Sequence, residues 1–256
     1  MSPQRVVVVA GPGAPTNILL NRLRNRPDLV GVVMEGPQDK WLLMRRRAGR
    51  IGWWKMLGQL AFVYGIVPWL RREGGARKAS ILERHDLSDA EATGLGPQRV
   101  VSINSDEAID AVRNLEPTIV VVSGTRIISP KVLSAVGVPF LNVHAGITPR
   151  YRGIHGLYWA LYNNDAEHGG VTVHRVDSGI DTGSIVAQAR VAHSAEDNFT
   201  TYPMLQLAKG LELLEVALDQ AAGGGLSSVT NEMDSKLWHH PTWLQYLGGR
   251  WTKGVK

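Results

Sequence analysis

The chain has 256 residues, 44% of them hydrophobic and 20% charged, which is the make-up of one globular α/β-sized unit with decorations and excludes global disorder. It contains no cysteine, so disulfides, thiolate metal sites and a cysteine nucleophile are excluded, and a cytoplasmic setting is expected. The net charge of +5 is concentrated: between Asp39 and Asp86 eleven Lys/Arg face four Asp/Glu, so a chain-wide nucleic-acid surface is not expected.

Taken in order, residues 5–10 form a continuous β-branched run that predicts a buried parallel strand, and Val6 to Ala10 is too short for a signal-peptide core. The turn at 11–16 resembles an anion loop, but Pro12 and Pro15 remove two backbone donors, so a structural turn is expected. A helix should span 15–24 and a second strand 29–34. After a long interruption come a strand at 99–103, a helix over 106–115 capped by Ser105, and a strand at 118–123. A short helix at 129–136 leads to a strand at 140–143, residues 170–176 and 185–192 read as paired strands, and a helix over 202–221 should stop at the 223–225 glycine run. Alternating strands and helices predict a Rossmann-like α/β fold with a parallel sheet covered on both faces, where ligands bind beyond the carboxyl ends of the strands. Residues 1–222 are expected to form this domain, with an insertion at about 39–90, and 223–256 to form an extension whose Trp238, Trp243 and Trp251 pack on the domain or on a partner subunit.

The chemistry is concentrated in two stretches. Asn142 and His144 lie two apart at a strand end, so their side chains share a face, and Asp181 follows in a loop bracketed by Gly179 and Gly183. Structural roles suffice for each alone: a core histidine, a turn asparagine, an Asx-turn former. Together, in this order and spacing, they resemble the folate-dependent formyltransferase family over about residues 119–191, in which an Asn, a His and an Asp converge on the formyl group of 10-formyltetrahydrofolate. The resemblance implies that Asn142 and His144 address the formyl oxygen while Asp181 orients His144 and carries protons. It also implies that Gly124, Thr125, Arg126, Ile127 and Ile128, with Val176, Asp177 and Gly179, receive the pterin, and that Arg150, Tyr151 and Arg152 meet the acceptor. No metal is expected.

Residues 51–70 hold fourteen apolar residues, but Pro68, three glycines, Lys55 and Gln59 argue against a membrane span. An amphipathic helix is expected, with Trp53, Leu57, Leu60, Tyr64 and Val67 on its apolar face. That face would cover the core, form a dimer interface or touch a membrane peripherally through 41–72, in that order, and a homodimer is expected. The cations of the segment, Arg45, Arg46 and Arg47 among them, would meet an acceptor phosphate or anionic headgroups; the plainer reading is a solvated charged face.

Within the family the sequence is closest in character to the sugar N-formyltransferases, which implies a nucleotide-linked amino sugar as acceptor, as in lipopolysaccharide sugars. A tRNA acceptor is disfavoured because about thirty-five residues after Ala221 cannot build the barrel domain associated with it. A glycinamide-ribonucleotide acceptor is disfavoured by the turn at 11–16 and by the insertion. The alternatives are a 10-formyltetrahydrofolate hydrolase and a non-catalytic membrane-peripheral binding protein.

Overall fold

The computed structural model describes residues 3–38, 49, 52–230 and 232–256. Strands β1 (Val6–Ala10), β2 (Leu29–Glu35), β3 (Gln98–Val100), β4 (Ile119–Ser123), β5 (Phe140–His144), β7 (Gly170–Arg175) and β8 (Ile185–Arg190) form one sheet in the order β3-β2-β1-β4-β5-β7-β8. The short β6 (Arg152–Gly153) and β9 (Leu237–Trp238) pair separately. Neighbours from β3 to β5 run parallel, whereas β7 is antiparallel to both β5 and β8. The expected mixed α/β architecture is therefore present, with a mostly parallel sheet.

The valine run explains why β1 is central. Val6, Val8 and Ala10 enter one core with Ile18 and Leu19 of helix α1 (Ala14–Leu23), while Val7 and Val9 enter another on the opposite face. Period-2 alternation buries both sets because helices cover both faces. The inserted helices follow: α2 (Trp53–Ala61), a π-helical turn over Phe62–Ile66, α3 (Val67–Glu73) and α4 (Gly75–Arg84). Helices α5 (Asp106–Arg113) and α6 (Pro130–Val136) cover the second face, each capped by the serine before it, since Ser105 accepts from Ala108 N–H and Ser129 from Val132 N–H. Helix α7 (Gly156–Tyr162) then precedes β7, and α8 (Tyr202–Ala222) returns over the first face through Leu211, Leu214 and Leu218. Helix α9 (Trp243–Lys253) closes the chain with a Thr242–Gln245 capping box.

A third core joins four parts of the chain far apart in sequence. Phe62, Val67 and Leu70 from the insertion pack with Leu157 and Tyr158 of α7, Phe199, and Tyr246 of α9. Phe62 lies with its ring centroid 4.8 Å from that of Phe199 and 5.0 Å from that of Tyr246. Here the expected apolar face needs correction. Met56, Gln59, Phe62, Val67 and Leu70 point inward, whereas Trp53, Leu57 and Tyr64 of the expected face are exposed. Aromatic residues occur on both sides of these helices, so hydrophobicity alone did not identify the inner one. Arg45, Arg46 and Arg47 lie outside the described residues.

Candidate active site

Strand β5 ends at the carboxyl edge of the sheet, and its pairing with β7 sets Asn142 opposite His174 and His144 opposite Thr172. A cavity of about 320 Å³ opens there, lined by Asn142, His144, His174 and Asp181 at one end and by the 124–128 and 176–180 loops at the other. The three residues expected to act together are thus in one cavity wall.

The bonding around them is specific. His144 is buried, and its Nε2–H donates to the Tyr151 carbonyl at 2.7 Å, while its Nδ1 lies 3.3 Å from Asp181 Oδ2. A β-carbon on Gly146 would sit 2.7 Å from Nε2, so that edge of the ring is packed against backbone. Burial pushes the His144 imidazolium down, with His174 and Arg152 adding to the depression against Asp181 and the Tyr151 carbonyl. Both neighbours of the ring are acceptors, a carbonyl at Nε2 and a carboxylate at Nδ1, so a proton taken up at Nδ1 faces Asp181.

Asp181 has a left-handed backbone (φ 51°), and its Oδ2 accepts from Gly153 N–H at 2.9 Å. Burial alone would raise its carboxyl, but the His174 contact, the His144 ring and the Gly153 N–H outweigh it and hold the pKa below its ordinary value. Asn142 Nδ2–H donates to His174 Nε2 at 3.2 Å, a bond made possible because His174 Nδ1–H donates to the Arg175 carbonyl at 2.8 Å. The second Asn142 N–H is left for a ligand in the cavity. His174 was not singled out from the sequence. Its signal was the alternation of residues 170–176, but facing Asn142 depends on an antiparallel register that only long-range pairing fixes.

Gly124, Thr125, Arg126, Ile127 and Ile128 line the cavity, as do Val176, Asp177 and Gly179. The first loop is held by a carboxylate the sequence did not reveal. Glu35, almost wholly buried at the end of β2, accepts from both Nε and the backbone N–H of Arg126 at 2.6 Å and from Ile103 N–H. Arg126 thus braces its own loop. Gly11 fits beside that loop only as glycine, since a β-carbon there would approach the Gly124 carbonyl to 2.3 Å. Thr16 Oγ1 donates back to the Gly11 carbonyl at 2.7 Å, so the 11–16 turn is structural, as expected. In the second loop, Asp177 accepts from Gly179 N–H and from Thr182, an Asx turn that shapes the cavity rim.

Arg150, Tyr151 and Arg152 require a correction. None is among the residues lining this cavity or the larger one described next. Arg150 pairs with Asp165 at 2.8 Å, buried Tyr151 donates its hydroxyl to the same carboxylate at 2.7 Å and stacks on Trp238, and Arg152 donates to the Ile180 carbonyl at 3.1 Å. Their work is to fix the loop carrying the Tyr151 carbonyl and Gly153 N–H against His144 and Asp181. Asp165 also comes near Glu167 and His168 with ligand-type atoms within 4.8 Å of one another, but its oxygens are already bonded to Tyr151, Arg150 and His168.

A second cavity, of about 560 Å³, has His155 in its lining. Val63, Val67, Arg71, Gly74 and Lys78 of the insertion form one wall, and Phe199, Met204, His155 and His240 contribute to the others. Gly153 lines the first cavity and His155, two residues further along the chain, the second. Lys78 is paired with Asp89, whereas Arg71 makes no ion pair among the described residues.

The carboxyl edge of an open α/β sheet thus gathers an amide, an imidazole and a carboxylate in one cavity. A family model described as formyl transferase matches residues 75–210, and the chain belongs to that family. A methionyl-tRNA formyltransferase from Citrifermentans bemidjiense is 34% identical over 151 residues, 58% of this chain and 46% of that protein. The chain spans less than half the length of the curated relatives it matches. Among solved structures, a sugar N-formyltransferase from a Shewanella species superposes with a TM-score of 0.57 at 14% identity, covering 91% of this chain and 76% of the other. An N-formyltransferase from Helicobacter canadensis, solved with folinic acid and dTDP-3-aminofucose, gives 0.54 at 18% identity, covering 91% and 70%. These likenesses extend the fold across most of the chain.

Proposed function

We propose that the chain transfers a formyl group from 10-formyltetrahydrofolate to a primary amine, and that the acceptor is a nucleotide-linked amino sugar. The observation that carries this reading is the gathering of Asn142, His144 and Asp181 in the first cavity, with the second cavity lined by His155, two residues along the chain from Gly153 of the first. In it the pterin occupies the first cavity against the 124–128 loop and Val176, Asp177 and Gly179, and the amine enters from the second. The amine nitrogen attacks the formyl carbon, negative charge grows on the formyl oxygen, and the free Asn142 N–H stabilises it. The C–N10 bond then breaks, and the proton lost by the amine passes through the Asp181–His144 pair to the N10 leaving group. Arg71 meets acceptor phosphate, and the apolar wall of Val63, Val67 and Phe199 takes the sugar's less polar face. The names of the tRNA-modifying relatives point to a second acceptor, a charged tRNA.

The test offers 10-formyltetrahydrofolate with dTDP- and UDP-linked amino sugars, with methionyl-tRNA, and with water alone, and follows tetrahydrofolate release together with formylated product by mass spectrometry. Product from an amino-sugar nucleotide supports the reading. Formylated tRNA instead would replace the acceptor, and folate breakdown without any formylated amine would make the protein a hydrolase.

A further inference from the structure

The inserted helices turn a second apolar face outward. Trp53 is 63% exposed, Trp54 87%, Tyr64 70% and Trp69 52%, and Leu57 is exposed beside them. Trp53, Leu57 and Tyr64 fall at helical spacing on the side opposite Met56, Gln59 and Phe62, which are buried. Helix α9 extends the surface: Thr242 lies against Gly58, and the next two residues, Trp243 and Leu244, are exposed. Solvent-facing tryptophans in such number serve poorly as a water-facing surface, because each ring exposes a large apolar area with a single polar N–H.

From Gly52 to Arg72, within the described residues, Lys55, Arg71 and Arg72 are all exposed and there is no Asp or Glu; exposed Glu73 follows at the end of α3. Among the described residues no helix is long and apolar enough to cross a membrane, the inner sides of the π-helical turn and α3 are already committed to the third core, and Met56 and Gln59 of α2 are buried. Helices held to the protein on one side, with Trp and Tyr rings outward and cations around them, match the chemistry of a bilayer interface, where indole and phenol rings settle at headgroup depth and Lys/Arg meet lipid phosphates. A second copy of the chain fits less well, because a twofold contact through this face would bring the same uncompensated cations together.

We infer that the outer face of α2 and α3, with the start of α9, docks the protein on the surface of an anionic lipid bilayer. This does not depend on the identity of the acceptor. The helices that dock are also those whose inner residues Val63 and Val67 wall the second cavity, so one element meets both the bilayer and that cavity.

Co-sedimentation of the full chain with vesicles of phosphatidylcholine, alone or mixed equally with phosphatidylglycerol, tests it. The wild type should bind the mixed vesicles, bind phosphatidylcholine far less, and be released by high salt. Trp53→Ala, Trp54→Ala and Tyr64→Ala combined should weaken binding to mixed vesicles by about ten-fold or more while leaving the melting temperature and reduced-folate affinity unchanged. Lys55→Ser with Arg72→Ser should remove the preference for phosphatidylglycerol. The inference is overturned if the wild type ignores mixed vesicles, if the aromatic variant binds them as well as the wild type does, or if that variant instead converts a dimer to a monomer with no vesicle binding by either protein.

Discussion

The carboxyl edge of the sheet and the inserted helices are built by opposite means. At the sheet edge most polar atoms are spoken for: His144 by the Tyr151 carbonyl, Asp181 by Gly153 N–H, Asn142 by His174. In the insertion the inner side is packed into the third core, shared with α7 and α9, while the outer side leaves tryptophans and cations to solvent. The difference teaches that a polar cluster can be fixed by a sheet and its crossovers, while an added segment held by apolar packing on one side keeps its other side open.

The comparison is broken most directly at Asp181. Asp181→Asn keeps size and hydrogen bonding but removes the charge beside His144, and kcat should fall by roughly 10²–10⁴. Folate affinity by calorimetry should change far less. Near-normal turnover would make Asp181 a loop residue, and the two regions would no longer differ in chemical role.

The join between the regions should be the most sensitive structural point. Arg77 of α4 holds Asp197, whose side chain is fully buried, with Nε to Oδ1 at 2.8 Å. Arg77→Met strands that carboxylate without its cation and should cost about 3 kcal/mol or more in a denaturant titration. A loss near zero would mean that the insertion rests on its apolar contacts alone.

A smaller effect is expected at Arg71. Arg71→Met should raise the acceptor KM by roughly 10–100-fold, the worth of one charge-assisted contact, with kcat at saturation and folate binding retained. A fall in kcat with unchanged KM would place Arg71 outside acceptor binding.

The smallest expected effect is the acid response of the same join. Burial alone would raise the Asp197 carboxyl, but Arg77 and the Ser194 backbone and side chain hold it below the ordinary aspartate range. The unfolded chain therefore binds the proton more readily, so this contribution is complete above the unfolded pKa and is lost as pH falls through the depressed folded value. Melting temperatures followed down through that range should drop more steeply for the wild type than for a variant with Asp197→Asn.

Much of the sheet edge was legible because its signals are local. The valine run of β1, the strand bearing Asn142 and His144, and the glycines around Asp181 declare themselves within a few residues. Glu35 and His174 did not, because a buried carboxylate whose partner is Arg126, and a histidine facing Asn142 across an antiparallel pair, acquire meaning only through contacts distant in sequence. Arg150, Tyr151 and Arg152 misled for the related reason that a basic-aromatic-basic loop suits a ligand or its own scaffold equally well, and Asp165 decided it. Helices α4 and α7 were missed, and the inner face of α2 and α3 was misplaced because apolar residues occupy both sides of the helices.

The central claim is that folate and acceptor occupy the two cavities and meet at the Gly153–His155 segment. A crystal structure with a non-hydrolysable 10-formyl folate analogue and a dTDP-linked amino sugar tests it most directly. The account predicts the pterin against the 124–128 loop, the formyl oxygen within hydrogen-bond reach of Asn142 Nδ2, and the amine about 3–3.5 Å from the formyl carbon after entering past His155. Folate bound away from Asn142 and Asp181, or an acceptor seated outside the cavity walled by Val63, Val67 and Arg71, would contradict it.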